Sequence, residues 1–116
     1  MLTVSSTPAA AAPAAGCRDG SATISGAYLH FSMCWDAVSG TWVDYWLEDT
    51  ATDGRRAELW LQHPGTGASG EEIDEVTGGN GDLSISFWYE VSVTSNVYPK
   101  LCTSDANTDR RCSGWL

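Results

Sequence analysis

Thr41-Trp42-Val43-Asp44-Tyr45-Trp46-Leu47-Glu48 decides the fold. Successive side chains of a β-strand point to opposite faces. Val43, Tyr45 and Leu47 then share one side, and Trp42, Asp44, Trp46 and Glu48 share the other. The first row reads as a core face. The second sets two indoles among two carboxylates on the side that should meet water, where a chain that needed only to fold has little use for tryptophan.

Ser39-Gly40 supplies a hairpin turn before this strand and Thr52-Asp53-Gly54 a turn after it. Ala22 to Trp35 reads as one long strand or a bent pair, with Gly26 at the bend and Leu29, Phe31, Met33 and Trp35 on one side. Arg18-Asp19-Gly20 reads as a turn. Arg56 to Gln62 alternates Ala57, Leu59 and Leu61 inward with Glu58, Trp60 and Gln62 outward. Glu71 to Val76 is a short acidic strand or one helical turn.

Asp82 to Thr94 is the most regular alternation in the chain. It is expected to be a central strand with Leu83, Ile85, Phe87, Tyr89, Val91 and Val93 inward and Ser84, Ser86, Trp88, Glu90 and Ser92 outward. Val97 to Thr103 is a last strand, which Pro99 places at an edge or a bulge. Ser104 to Ser113 reads as a polar loop, and Gly114-Trp115-Leu116 as a segment that tucks back. Short strands and frequent turns predict an all-β fold, a small antiparallel sandwich or barrel.

The chain has 116 residues, which is one domain's worth, and its four cysteines form no C-x-x-C pair. His30 and His63 have no zinc spacing to them. In a small chain an even cysteine count favours disulfides and an oxidising, extracellular compartment. Local closure favours Cys17–Cys34 with Cys102–Cys112; Cys17–Cys112 with Cys34–Cys102 is the other pairing considered. The net charge of −9 argues against nucleic acid and against an anionic membrane surface. It suits solubility and attraction to a basic partner.

Residues 1–16, MLTVSSTPAAAAPAAG, form an uncharged Ala/Pro-rich tail or the remnant of a secretory signal, and residues 17–116 a single disulfide-stapled domain. If the tail orders on a partner, Pro8, Ala9, Ala10, Ala11, Ala12, Pro13 and Ala14 are its contacts, because small side chains let a backbone approach closely. Within the domain, Trp42, Trp46, Trp60 and Trp88 stand in phase with Asp44, Glu48, Glu58 and Glu90 on three strands. They are expected to form one aromatic-acidic strip that binds a protein partner, since tryptophan is enriched at binding hot spots. Covering loops, or a sheet buried on both faces, would account for the same pattern.

Chemistry is harder to find. Gly65 to Gly70 spells G-x-G-x-x-G, but no helix pattern follows, and Glu71 and Glu72 would repel a pyrophosphate. Asp105-Ala106-Asn107-Thr108-Asp109 opens like a calcium loop and then has Arg110 where glycine is required. His30 and Ser32 have no nucleophile elbow or fixed third partner. The expectation is a non-enzymatic protein that uses no metal and no cofactor.

Thr7 to Gly16 (TPAAAAPAAG) runs directly into Cys17 and a compact acidic remainder with three further cysteines. In this layout the chain resembles small exported proteins of actinobacteria, above all the small adaptor subunit of the umbrella toxin particles of streptomycetes. Enediyne-carrier apoproteins share size, acidity and two disulfides, but they are tryptophan-poor. The resemblance implies a secreted adaptor in an extracellular, antibacterial toxin complex. Its small-residue extension would enter a cleft on a lectin-like partner, and its β domain would attach to a repeat-bearing chain. A carbohydrate-binding module using the tryptophans is one alternative. Another is a small inhibitor of an extracellular hydrolase, presenting Ser104 to Arg111.

Overall fold

The computed structural model describes residues 15–116, which form eight strands in two antiparallel sheets. The strands are β1 (Gly16–Ile24), β2 (Ala27–Asp36), β3 (Gly40–Asp49), β4 (Arg56–Gln62), β5 (Glu71–Val76), β6 (Leu83–Glu90), β7 (Tyr98–Asp105) and β8 (Thr108–Cys112). The first sheet runs β1-β2-β3-β6 and the second β5-β4-β7-β8. The all-β sandwich expected from the alternation is the observed fold. The tail positions Pro8 to Ala14 lie outside the described residues, and Gly16 already belongs to β1.

Leu29, Phe31 and Met33 of β2 and Val43, Tyr45 and Leu47 of β3 pack against Ala57, Leu59, Leu61 and Leu101 of the second sheet. Each such side chain gains about 1.5–3 kcal/mol on burial, which is the main drive for closing the two layers. Thr41 Oγ1 lies 2.7 Å from the carbonyls of Val93 and Ser95, fastening the crossing from β6 to β7 beneath the first sheet. Arg18 of β1 fastens the same crossing and the C-terminal residue. Its guanidinium donates to Asn96 Oδ1 at 2.6 Å and to the carbonyls of Val97 and Leu116.

Both disulfides join residues directly opposite on neighbouring strands, Cys17–Cys34 across β1 and β2 and Cys102–Cys112 across β7 and β8. Local closure therefore predicted the pairing correctly.

The strand expected over Val97 to Thr103 is β7, between β4 and β8, and so is neither the last strand nor an edge; Pro99 pairs with Leu61. Three further local expectations fail. Arg18-Asp19-Gly20 lies inside β1, because Gly20 serves close packing and not a turn: a Cβ there would sit 2.9 Å from the Phe31 ring. Ser104 to Ser113 is mostly β-structure, a hairpin turning at Ala106 and Asn107, both with positive φ. The third and largest error concerns β6. It is an edge strand and not a central one, it ends at Glu90, and its phase is reversed. Leu83, Ile85, Phe87 and Tyr89 face solvent, while Trp88 packs against the core.

The reversal has a polar cause. Tyr45 Oη donates to Asp74 Oδ2 at 2.9 Å, and Ser84 Oγ donates to the same oxygen at 2.6 Å. The gap between the adjacent edges β5 and β6 is thus closed by hydroxyls and a carboxylate, and serines suit the inner row there. A buried polar group without such partners would cost about 1–3 kcal/mol.

Candidate interaction face

β3 orders the outer face of the first sheet. Its register with β2 and β6 sets four rows across the strands: Cys34-Trp42-Tyr89, Ser32-Asp44-Phe87, His30-Trp46-Ile85 and Tyr28-Glu48-Leu83. Cross-strand neighbours on one face stand about 4.5–5.5 Å apart, close enough for these side chains to touch. Trp42, Trp46 and the four outward residues of β6 therefore make one apolar area along an edge. Ile85 and Phe87 are each 65% exposed, Tyr89 48% and Trp46 39%. Tyr89 is steadied by donation from its hydroxyl to the Ser39 carbonyl, and Trp46 by donation from Nε1 to Glu48 Oε1 at 3.1 Å.

The polar residues among them are acidic. Asp44 lies between the indoles and Glu48 beyond Trp46, and none of β2, β3, β5 and β6 contains lysine or arginine. The six cations are Arg18, which is drawn inward, and Arg55, Arg56, Lys100, Arg110 and Arg111, which all belong to the second sheet or its approach.

The outer face of the second sheet is built on Glu58, whose side chain is 0% exposed. Its Oε1 accepts from Arg110 Nε at 2.7 Å and Trp60 Nε1 at 2.9 Å. Its Oε2 accepts from Arg56 Nε at 2.9 Å, from Arg110 Nη2 at 3.1 Å and from Ser104 Oγ. Burial alone would raise this pKa, but the hydrogen bonds, led by Arg110, outweigh it and hold the carboxyl down at about 2. Trp60 lies between two cations, Arg110 at 5.0 Å and Lys100 at 5.6 Å from its ring. Lys100 also sits 4.3 Å from the Trp115 ring, and burial lowers its pKa.

Glu58, Glu72 and Glu75 bring carboxylate oxygens within 4.8 Å of one another, a spacing that suits a metal ion. Both Glu58 oxygens are already filled, however, and two guanidiniums supply the positive charge that an ion would bring. Glu72 Oε2 is buried without a hydrogen-bond partner. Burial, then the charges of Glu58 and Glu75, raise its pKa.

The chain matches no protein-family model, no curated protein and no solved structure.

The expected strip of four tryptophans is therefore divided. Trp42, Asp44, Trp46 and Glu48 share one outer face as expected. Glu58 and Trp60 stand on the other sheet, and Glu58 is covered by its own partners, so it presents nothing to another molecule. Trp88 turns inward, with its ring 5.0 Å from His63, and Glu90 accepts from Ser92. Sequence reasoning missed the outward row of β6. Its signal was the unbroken alternation itself, which fixes two faces but not which of them is the inside.

Proposed function

We propose that this chain is a secreted, non-enzymatic protein-binding module, an adaptor that joins subunits of a larger extracellular complex. Two disulfides in a small domain are consistent with an extracellular setting. The observation that carries the binding reading is the open apolar area of Trp46, Ile85, Phe87 and Tyr89. Contiguous exposed apolar surface of this kind, rimmed by acids, marks interaction sites in soluble proteins. Connection to two partners is supported by position. Ala15, from which the Ala/Pro-rich segment leads, adjoins β1 at one edge of the first sheet, and the apolar area borders β6 at the other. Membership of an umbrella-type toxin particle belongs to this proposal.

Capture of proteins from the medium of the producing organism tests it. The wild-type chain should retain a partner that a Phe87→Ser, Ile85→Ser variant loses, and removal of residues 1–14 should release a second one. Equal capture by all three proteins sinks the reading.

Carbohydrate binding is the second reading, favoured by one observation: Trp42 and Trp46 flank the exposed carboxylate of Asp44 on an open face. Glycan binding lost in Trp42→Ala and Trp46→Ala, but kept in Phe87→Ser, would establish it. The inhibitor reading has less support, because the Arg110 guanidinium it would present is engaged with Glu58.

A further inference from the structure

Sheet edges invite foreign strands, and soluble proteins blunt them with bulges, charges, prolines or short length. Three of the four edges here are blunted. β8 has only five residues, with three charges among them. β5 has a register shift opposite Leu59 and Trp60 and four carboxylates in six residues. β1 carries Arg18, Asp19 and a disulfide. β6 differs on every count. Its eight residues pair with β3 without a register shift, they include no proline and no cation, and their only charge is the terminal Glu90. Among the described residues nothing pairs with its other side.

We propose that β6 is a strand-addition site for an extended segment of a partner protein whose side chains alternate apolar and basic. The inference deepens the protein-binding reading above and rests on it. A strand laid along the free side of β6 continues the pleat, so its side chains fall alternately on two surfaces. One row meets Ile85, Phe87 and Tyr89 and takes apolar residues. The other row faces the seam toward β5, where Asp74 accepts from neutral donors, the hydroxyls of Tyr45 and Ser84 at Oδ2 and the Glu75 amide at Oδ1. Glu71 and Glu75 stand on the same strand, paired with His63 and Arg56. The charge that complements this row is positive, and the chain supplies no cation on either edge strand. A second copy fits poorly, since β6 against β6 would bring two chains of net charge −9 together along their acidic rims.

The test uses the full chain and a short synthetic peptide of alternating valine and lysine. Its controls are valine–glutamate and valine–serine peptides and a valine–lysine peptide N-methylated along one edge. Binding is followed by calorimetry and by backbone amide exchange. The valine–lysine peptide should bind saturably, slow exchange at alternate β6 amides and weaken as salt is added. N-methylation should weaken it by about tenfold or more, because it removes the main-chain bonds and keeps the side chains. Equal affinity for the N-methylated or the valine–glutamate peptide, no binding at all, or no protection along β6 would each overturn the proposal. So would a dimer dependent on β6 in sedimentation. If these results came with Phe87-dependent capture from medium, strand addition would fall while the interaction face remained. Loss of Phe87 dependence in capture would remove the face itself.

Discussion

The two outer faces of the sandwich begin from the same sequence pattern and end as different surfaces. On β3, indoles alternate with Asp44 and Glu48; on β4, Trp60 follows Glu58. On the second sheet the neighbouring strands supply Arg110, Lys100 and Ser104, so the carboxylate is sealed and the indole is bracketed by cations. On the first sheet the neighbours on β6 are Ile85, Phe87 and Tyr89, and among the described residues no cation neutralises the row. What a strand presents is therefore decided by the strands beside it as much as by its own residues. One face is spent on holding the protein together. The other stays open, and the binding proposed above rests on that.

The largest expected effect tests the closed face. Glu58→Ala strands two guanidiniums, an indole N–H and a hydroxyl, and should lower unfolding free energy by about 3 kcal/mol, as breaking buried ion pairs does. Asp44→Ala, at the matching place on the open face, should cost less than about 0.5 kcal/mol. Similar losses in denaturant titrations would remove the contrast. The contrast also has a pH signature. Because the folded pKa of Glu58 is depressed to about 2, its contribution is complete above the ordinary carboxylate range near 4.5 and disappears as pH falls through the folded value. The stability difference between wild type and Glu58→Gln should accordingly shrink between those limits. A constant difference would mean that the carboxylate is not the group holding the two arginines.

On the open face the expected effects reverse. Phe87→Ser should leave stability within about 0.5 kcal/mol of wild type, since the ring is largely in water already. Partner binding should weaken by about 2 kcal/mol, a hot-spot magnitude. A variant that unfolds without losing its partner would place Phe87 in the core's service and make the two faces alike.

The sequence was legible where one row was unambiguously apolar. Val43, Tyr45 and Leu47, and again Ala57, Leu59 and Leu61, face the core as their alternation required. Cys17–Cys34 and Cys102–Cys112 were legible because each pair closes a short local loop. β6 was not legible, for an instructive reason. Period two separates its residues into two faces, but only Asp74, on the separate strand β5, explains why the serine row is the inner one. Glu58 was read on the correct face with the wrong exposure, because its covering residues Ser104 and Arg110 come from β7 and β8. In each failure the deciding contact came from another strand, which the alternation of the strand itself does not report.

The smallest effect concerns the seam where the two sheets meet at their edges. Tyr45 is buried, and its hydroxyl donates to Asp74. Burial first, and the Asp74 hydrogen bond second, push its pKa up to about 12. A group whose folded pKa is raised contributes fully below its ordinary value near 10, and the contribution disappears as pH rises through the folded one. Tyr45→Phe removes the hydroxyl and leaves Asp74 the Ser84 donor, so the loss at neutral pH should be about 1 kcal/mol. Wild type should lose stability on approach to pH 12, and the variant should lose less. An identical alkaline decline in both proteins would mean that Tyr45 does not close the seam. The serine row of β6 would then have no reason to face inward, and neither would the phenylalanine row to face out.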